Sequence, residues 1–280
     1  MFPYSTGRQI WRIVYPVLIF LAIPNLVAVT VFFYDVMRSA LTQGYLPDVA
    51  QLNEMLEVWA VQNTLPLTMV GQLLCLAPFI PIYVNMRRNA LRFHRVAPRA
   101  ALASLAASTF FGLSLIVGLL LSLINVDESY EFLESALSSG SVIIRFITLA
   151  IVAPVVEELC FRGIVLGRSL SWVNPMPAIM LQAALFGVVH MNLLQGLYAF
   201  ALGILLGMIF VRFRNLWLCM VGHFAFNLPS VLIGIIEEGG TEISVFWILI
   251  PGVIMALAGL VLCRMPAATL SLGNRDVVHG

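Results

Sequence analysis

The stretch APVVEELCFRG, Ala153 to Gly163, sets two carboxylates, Glu157 and Glu158, side by side, with Arg162 four residues after the second. The residues around them are apolar enough to cross a membrane. A charge at the centre of a bilayer costs ~2.5–3.5 kcal/mol on insertion scales. Charged residues retained there need a reason. Glu158 and Arg162 are i,i+4 with the acid first, the favourable order for an ion pair on one helix face. Glu157 is turned about 100° from Glu158 and cannot share Arg162 on equal terms. One carboxylate is therefore paired and the other is free to titrate or to react. A charge cluster that only pins helices together accounts for Glu158 and Arg162 and leaves Glu157 unexplained.

Two further apolar stretches carry polar groups. GHFAFN places His223 and Asn227 i,i+4, so one helix face presents an imidazole and an amide. FGVVH adds His190, with Phe186 one turn before it. A lone histidine in a span is more often a satisfied packing residue than a catalyst. Two histidines, an amide and a spare glutamate in the polar-poor part of one chain are not. At 1.5 Å per residue, Glu157 lies roughly 12–15 Å from the cytoplasmic end of its span, His223 and Asn227 roughly 10–17 Å, and His190 roughly 20 Å. These depths fit one cavity in the cytoplasmic half of the membrane.

Such a set suits hydrolysis by an activated water. A carboxylate acts as general base, and donors stabilise the oxyanion that forms on the attacked carbonyl. Glu157, His190 and His223 would alternatively make a His₂Glu zinc set with an open position, although no HExxH helix supports it. Cys160, i,i+3 from Glu157, is a third possibility, disfavoured because burial beside a carboxylate opposes the thiolate that must attack. A non-catalytic reading, a transporter or an immunity scaffold using the cluster for binding, belongs to a different class. A transporter would show broken helices near the midplane or a repeat of one half in the other. Pro154 and Pro229 could break helices, but no repeat is visible.

The elements that must position these residues follow from composition. Of 280 residues, 61% are hydrophobic and 10% charged, with a mean hydropathy of +0.98. A soluble domain is nearer a quarter charged. The expected fold is all-α, a polytopic membrane protein forming a single transmembrane domain over 1–280. Apolar runs long enough to span lie near 12–34, 64–85, 100–124, 141–165, 176–194, 196–212, 216–236 and 244–264, about eight helices. Asn192 and Gln195 alone divide the fifth from the sixth.

All 15 basic residues are arginines. They cluster at the N-terminus (Arg8, Arg12), in MRRNALRFHRVAPR, and after the fourth, sixth and eighth runs. The alternate loops are acidic. Eight spans with N- and C-termini cytoplasmic satisfy the positive-inside rule. The segments PDVAQLNEMLEVWAV and VDESYEFLESAL read as amphipathic connecting helices on the outer surface. Gly203 and Gly207, with Ala199 one turn earlier, let a neighbouring helix approach closely. The four cysteines, Cys75, Cys160, Cys219 and Cys263, show no paired spacing and read as buried and reduced.

Together the three stretches resemble the motifs EExxxR, FxxxH and HxxxN/B of the CPBP intramembrane proteases. That family groups type II CAAX prenyl endopeptidases with bacterial Abi, bacteriocin-processing and immunity proteins. The resemblance covers roughly 141–236 and implies an eight-helix intramembrane fold and peptide-bond hydrolysis. It implies that Glu157 and His190 activate water and that His223 and Asn227 form the oxyanion hole. Glu158, Arg162 and Phe186 become structural supports of the site. No cofactor is expected, with zinc held by Glu157, His190 and His223 as the alternative. The expected partners are the lipid bilayer and a membrane-associated or lipidated peptide or protein substrate, with no nucleic acid. The expected location is the plasma (inner) membrane of a prokaryote.

Overall fold

The computed structural model describes residues 5–89, 100–123, 128–240, 244, 249–255 and 257. Its helices are α1 (Thr6–Gln43), α2 (Val49–Asn89), α3 (Ala100–Ser122), α4 (Glu128–Ser138), α5 (Val142–Ser169), α6 (Pro175–Val188), α7 (Leu193–Phe213) and α8 (Leu216–Glu238). There are no strands among the described residues. Among the described residues five helices, α1, α2, α3, α7 and α8, are each long and apolar enough to cross a membrane, and a sixth candidate is the bent pair of α4 and α5, which meet at 114°.

One of the eight expected spans is altered, one falls largely outside the described residues, and one expected connecting helix is corrected. The expected run 176–194 becomes α6, only 14 residues or about 21 Å, short of the ~30 Å hydrocarbon core. It forms a hairpin with α7. The expected span 244–264 falls largely outside the described residues, as do His94, His279, Cys263 and the C-terminus. The segment PDVAQLNEMLEVWAV is not a separate surface helix. From Val49 it is the first turns of α2.

α1 and α2 run to 38 and 41 residues, about 57 and 61 Å, twice what the bilayer needs. Apolar patterning marks only their membrane part. Their far ends are joined by Trp59, whose Nε1 donates to Asp35 at 2.8 Å while its ring meets Phe32 edge-on at 5.1 Å. Ser139, just beyond α4, donates through Oγ to the Val61 carbonyl and closes α4 over α2.

Small residues draw α6 and α7 together, as the spacing of Gly203 and Gly207 predicts. A Cβ on Gly203 would stand 2.9 Å from the Ala183 Cα, and one on Gly207 would stand 2.8 Å from Gln182 Nε2. The neighbour is thus another helix of the same chain. The buried Gln182 uses the closeness, donating from Nε2 to the Gly203 carbonyl at 2.7 Å. Gly203→Val should therefore lower stability by about 1–3 kcal/mol, read as a fall in Tm of the purified protein. An unchanged Tm would show that the hairpin can open at no cost.

α5 is fixed at both ends by arginines. Arg145, buried near its start, pairs with Glu238 at the end of α8 at 2.6 Å. Arg168, buried near its close, donates to the Arg12 carbonyl and to the Tyr15 hydroxyl of α1. The reading of Arg168 as one loop arginine among several misses this anchoring. Cys75, Cys160 and Cys219 are buried and free, as expected. The thiol of Cys160 faces the Pro16 carbonyl at 3.8 Å, which marks it as a packing residue.

Candidate active site

α5 is not a regular α-helix. The six residues Ala153–Glu158 are α-helical, but they lie between two wider π-helical segments, Phe146–Val152 and Leu159–Leu166. Such segments leave carbonyls free of the ordinary ladder and recur at functional sites. Glu157 and Glu158 end the α-helical insert, and Arg162 lies in the following wide segment. All three are buried, Glu158 and Arg162 completely and Glu157 to 8% exposure.

Glu158 takes the contacts its spacing predicts and one more. Its Oε1 accepts from Arg162 Nη1 at 2.8 Å. The same oxygen stands 2.8 Å from Nδ1 of His223, on α8. A carboxylate can only accept, so Nδ1 carries the proton. The other face of that imidazole looks at Glu157, with Nε2 3.7 Å from Oε2. His223 thus stands between the two glutamates. The expected pairing of Glu158 with Arg162 is present and is joined by His223, and of the two histidines it is His223 that faces Glu157.

Phe186 is the hub of the cluster. The Arg162 guanidinium lies over its ring at 4.5 Å. The rings of His190 and His223 meet it edge-on at 4.9 and 5.8 Å, and Phe161 packs at 5.0 Å. Arginine over an aromatic face is favourable in a desolvated site, so Phe186 both holds the cation and seats two imidazoles. The sequence marks it as a support without showing this fourfold contact.

His190 stands just past the end of α6, before Met191, whose φ of 55° turns the chain. Asn192 then caps α7, its side chain accepting from the Gln195 N–H at 3.0 Å. The polar break between the two apolar runs is this cap. His190 Nδ1 lies 2.7 Å from the Phe186 carbonyl. It must donate there, which leaves Nε2 as the acceptor.

Asn227, one turn beyond His223, donates from Nδ2 to the Leu149 carbonyl of α5 at 2.8 Å. The structure therefore gathers Glu157, Glu158, Arg162, Phe186, His190 and His223 into one contiguous cluster. It attaches Asn227 to the same helix about two turns before Glu157.

The zinc alternative fits this arrangement poorly. Nδ1 of each histidine is hydrogen-bonded and Nε2 is left toward the site, but no three His, Cys, Asp or Glu groups are gathered at metal-binding spacing among the described residues.

Residues 139–229 match the family model of Rce1-like type II CAAX prenyl endopeptidases. This segment is similar to an Rce1-like domain. It contains all seven residues named above and starts within α4–α5 and ends in α8, so the resemblance read from the three motifs stands. A membrane-peptidase relative is also found: the chain is similar over 89 residues to YdiL of Bacillus subtilis, named as a membrane peptidase, at 29% identity. That match covers 32% of this chain and 36% of YdiL, so it spans about a third of the relative's length. No solved structure matches the chain.

Proposed function

We propose that the protein is an intramembrane endopeptidase that hydrolyses a peptide bond with a water activated by Glu157. The observation that carries this reading is His223, hydrogen-bonded to Glu158 through Nδ1 and facing Glu157 through Nε2 at 3.7 Å. That gap is too long for a direct bond. A water about 2.8 Å from both atoms would bridge them.

Glu157 takes the proton of this water as its oxygen attacks the scissile carbonyl carbon. His190, whose Nε2 is left as an acceptor, holds or takes a second water proton. The carbonyl oxygen becomes an oxyanion and receives hydrogen bonds from the second N–H of Asn227 and from His223. With Nδ1 committed to Glu158, His223 donates to the oxyanion through Nε2 when that nitrogen also carries a proton. The proton held by Glu157 then passes to the leaving nitrogen as the C–N bond breaks. No metal enters the cycle.

The substrate proposed is a membrane-associated or lipidated peptide or protein, because the reacting groups lie among membrane-spanning helices. A prenylated CAAX terminus is the form suggested by the family's name. The proposed location is the plasma (inner) membrane of a prokaryote, with both termini cytoplasmic and the whole chain acting as one transmembrane domain.

The test is a comparison of membrane-peptide profiles from vesicles bearing wild-type protein or His190→Ala, with and without a chelator. Peptides cleaved only by the wild type, and undiminished by EDTA, are the expected result. Cleavage abolished by EDTA and restored by zinc would replace the glutamate mechanism with a metal one. Identical profiles from the two proteins would remove the enzymatic reading.

A further inference from the structure

Pro154 lies three residues before Glu157 and has no N–H to give. In an α-helix the Leu149 carbonyl would accept from residue 153, and in a π-helix from residue 154. Neither serves it. The Ala153 N–H bonds to the Thr148 carbonyl in the π pattern, and residue 154 is the proline. The Leu149 carbonyl is thus left over by its own helix, and a carbonyl unpaired in a dry interior is costly. Its hydrogen bond comes from another helix, from Asn227 Nδ2 at 2.8 Å.

We infer that Pro154 is a positioning residue for hydrolysis: by freeing the Leu149 carbonyl it fixes the Asn227 amide in one orientation. A carbonyl can be met only by the NH₂ end of the amide, so the group cannot flip. One N–H is bound to Leu149, and the second is held in the amide plane for the oxyanion. An amide free to rotate would have to be ordered in each turnover. The proline does for Asn227 what Glu158 does for His223 one turn earlier on α8. Both donors of the proposed oxyanion hole are then oriented by α5, the helix that carries the base. The inference rests on the reading of Asn227 as an oxyanion donor.

Pro154→Ala returns an N–H at position 154 that can satisfy the Leu149 carbonyl in the π register, and so releases Asn227. On a membrane peptide cleaved by the wild type, kcat should fall roughly ten-fold with KM unchanged, less than the ~10²–10³-fold expected for Asn227→Ala, which deletes the donor. The double variant should be no slower than Asn227→Ala. Tm should stay level or rise, because a helix interior disfavours proline; a merely structural role would lower it. Pro154→Val, closer in volume, should behave alike and guards against a packing fault.

Independently of cleavage, ¹⁵N-asparagine labelling should show an exchange-protected Asn227 side-chain amide in the wild type and its loss in Pro154→Ala. Wild-type kcat in both proline variants, or an amide still protected there, would overturn this inference alone. Wild-type kcat in Asn227→Ala would overturn the oxyanion reading and this inference with it.

Discussion

Glu157→Gln is expected to lower kcat by roughly 10²–10⁴-fold, the usual worth of a positioned general base. Tm should remain within about 2–4 °C of the wild type, equivalent to less than about 1 kcal/mol in a protein of this size. The separation of the two effects is the informative part. Gln has the volume of Glu and keeps a hydrogen-bonding oxygen, so the packing at the end of the α-helical insert is undisturbed. What it loses is the capacity to take a proton. Glu157 can bear that loss because it holds little else in place. Among the described residues its one ion contact is His223 at 3.7 Å, and its side chain is 11% exposed whereas that of Glu158 is 0%. Kinetics of cleavage in vesicles together with thermal unfolding in detergent check both halves. Full activity in the variant would remove Glu157 from the mechanism. Lost activity with a collapsed Tm would make it a structural acid like its neighbour.

How much of this was legible in the sequence depended on range. The Glu158–Arg162 pair was readable because it is local: four residues on a helix fix the geometry before any folding is considered. The close approach of α6 and α7 was readable for a similar reason, since Gly203 and Gly207 advertise a row without side chains. The bond from His223 to Glu158 was not, because it joins α5 to α8 across 65 residues of chain and no periodicity encodes which acid an imidazole will choose.

The two π segments were also hidden. Pro154 was visible as a possible helix breaker, but the way the chain absorbs a missing N–H, by widening the turn and borrowing a side chain from α8, is a tertiary solution. The lengths of α1 and α2 escaped because the apolar pattern stops at the membrane surface while the helices continue. In each case the sequence specified the local preference, and packing decided its use.

Arg162→Met should be the most destabilising change at the site. Both members of the pair are fully buried, and removing one partner of a buried ion pair costs about 3–5 kcal/mol by stranding the other charge. Activity should disappear with the fold. The informative variant is the double one, Glu158→Leu with Arg162→Met. The native pair is incompletely satisfied: Arg162 Nε and Nη2 and Glu158 Oε2 find no hydrogen-bond partner among the described residues. Replacing such a pair with apolar side chains of similar volume is often neutral or stabilising by about 1–4 kcal/mol. The double variant should therefore regain most of the lost Tm, with Met still packed on Phe186 and the buried His223 Nδ1–H, now without its acceptor, holding the fold below the wild type by about 1–3 kcal/mol.

Cleavage should not return with the fold. Without Glu158, Nδ1 of His223 has no acceptor, and the ring loses its orientation. A misplacement of about 1 Å at a reacting centre can cost 10²-fold, and a loss of at least that size is expected in the folded double variant. If that variant were stable and fully active, Glu158 would be reduced to packing, and His223 would need a different explanation for facing two carboxylates at once.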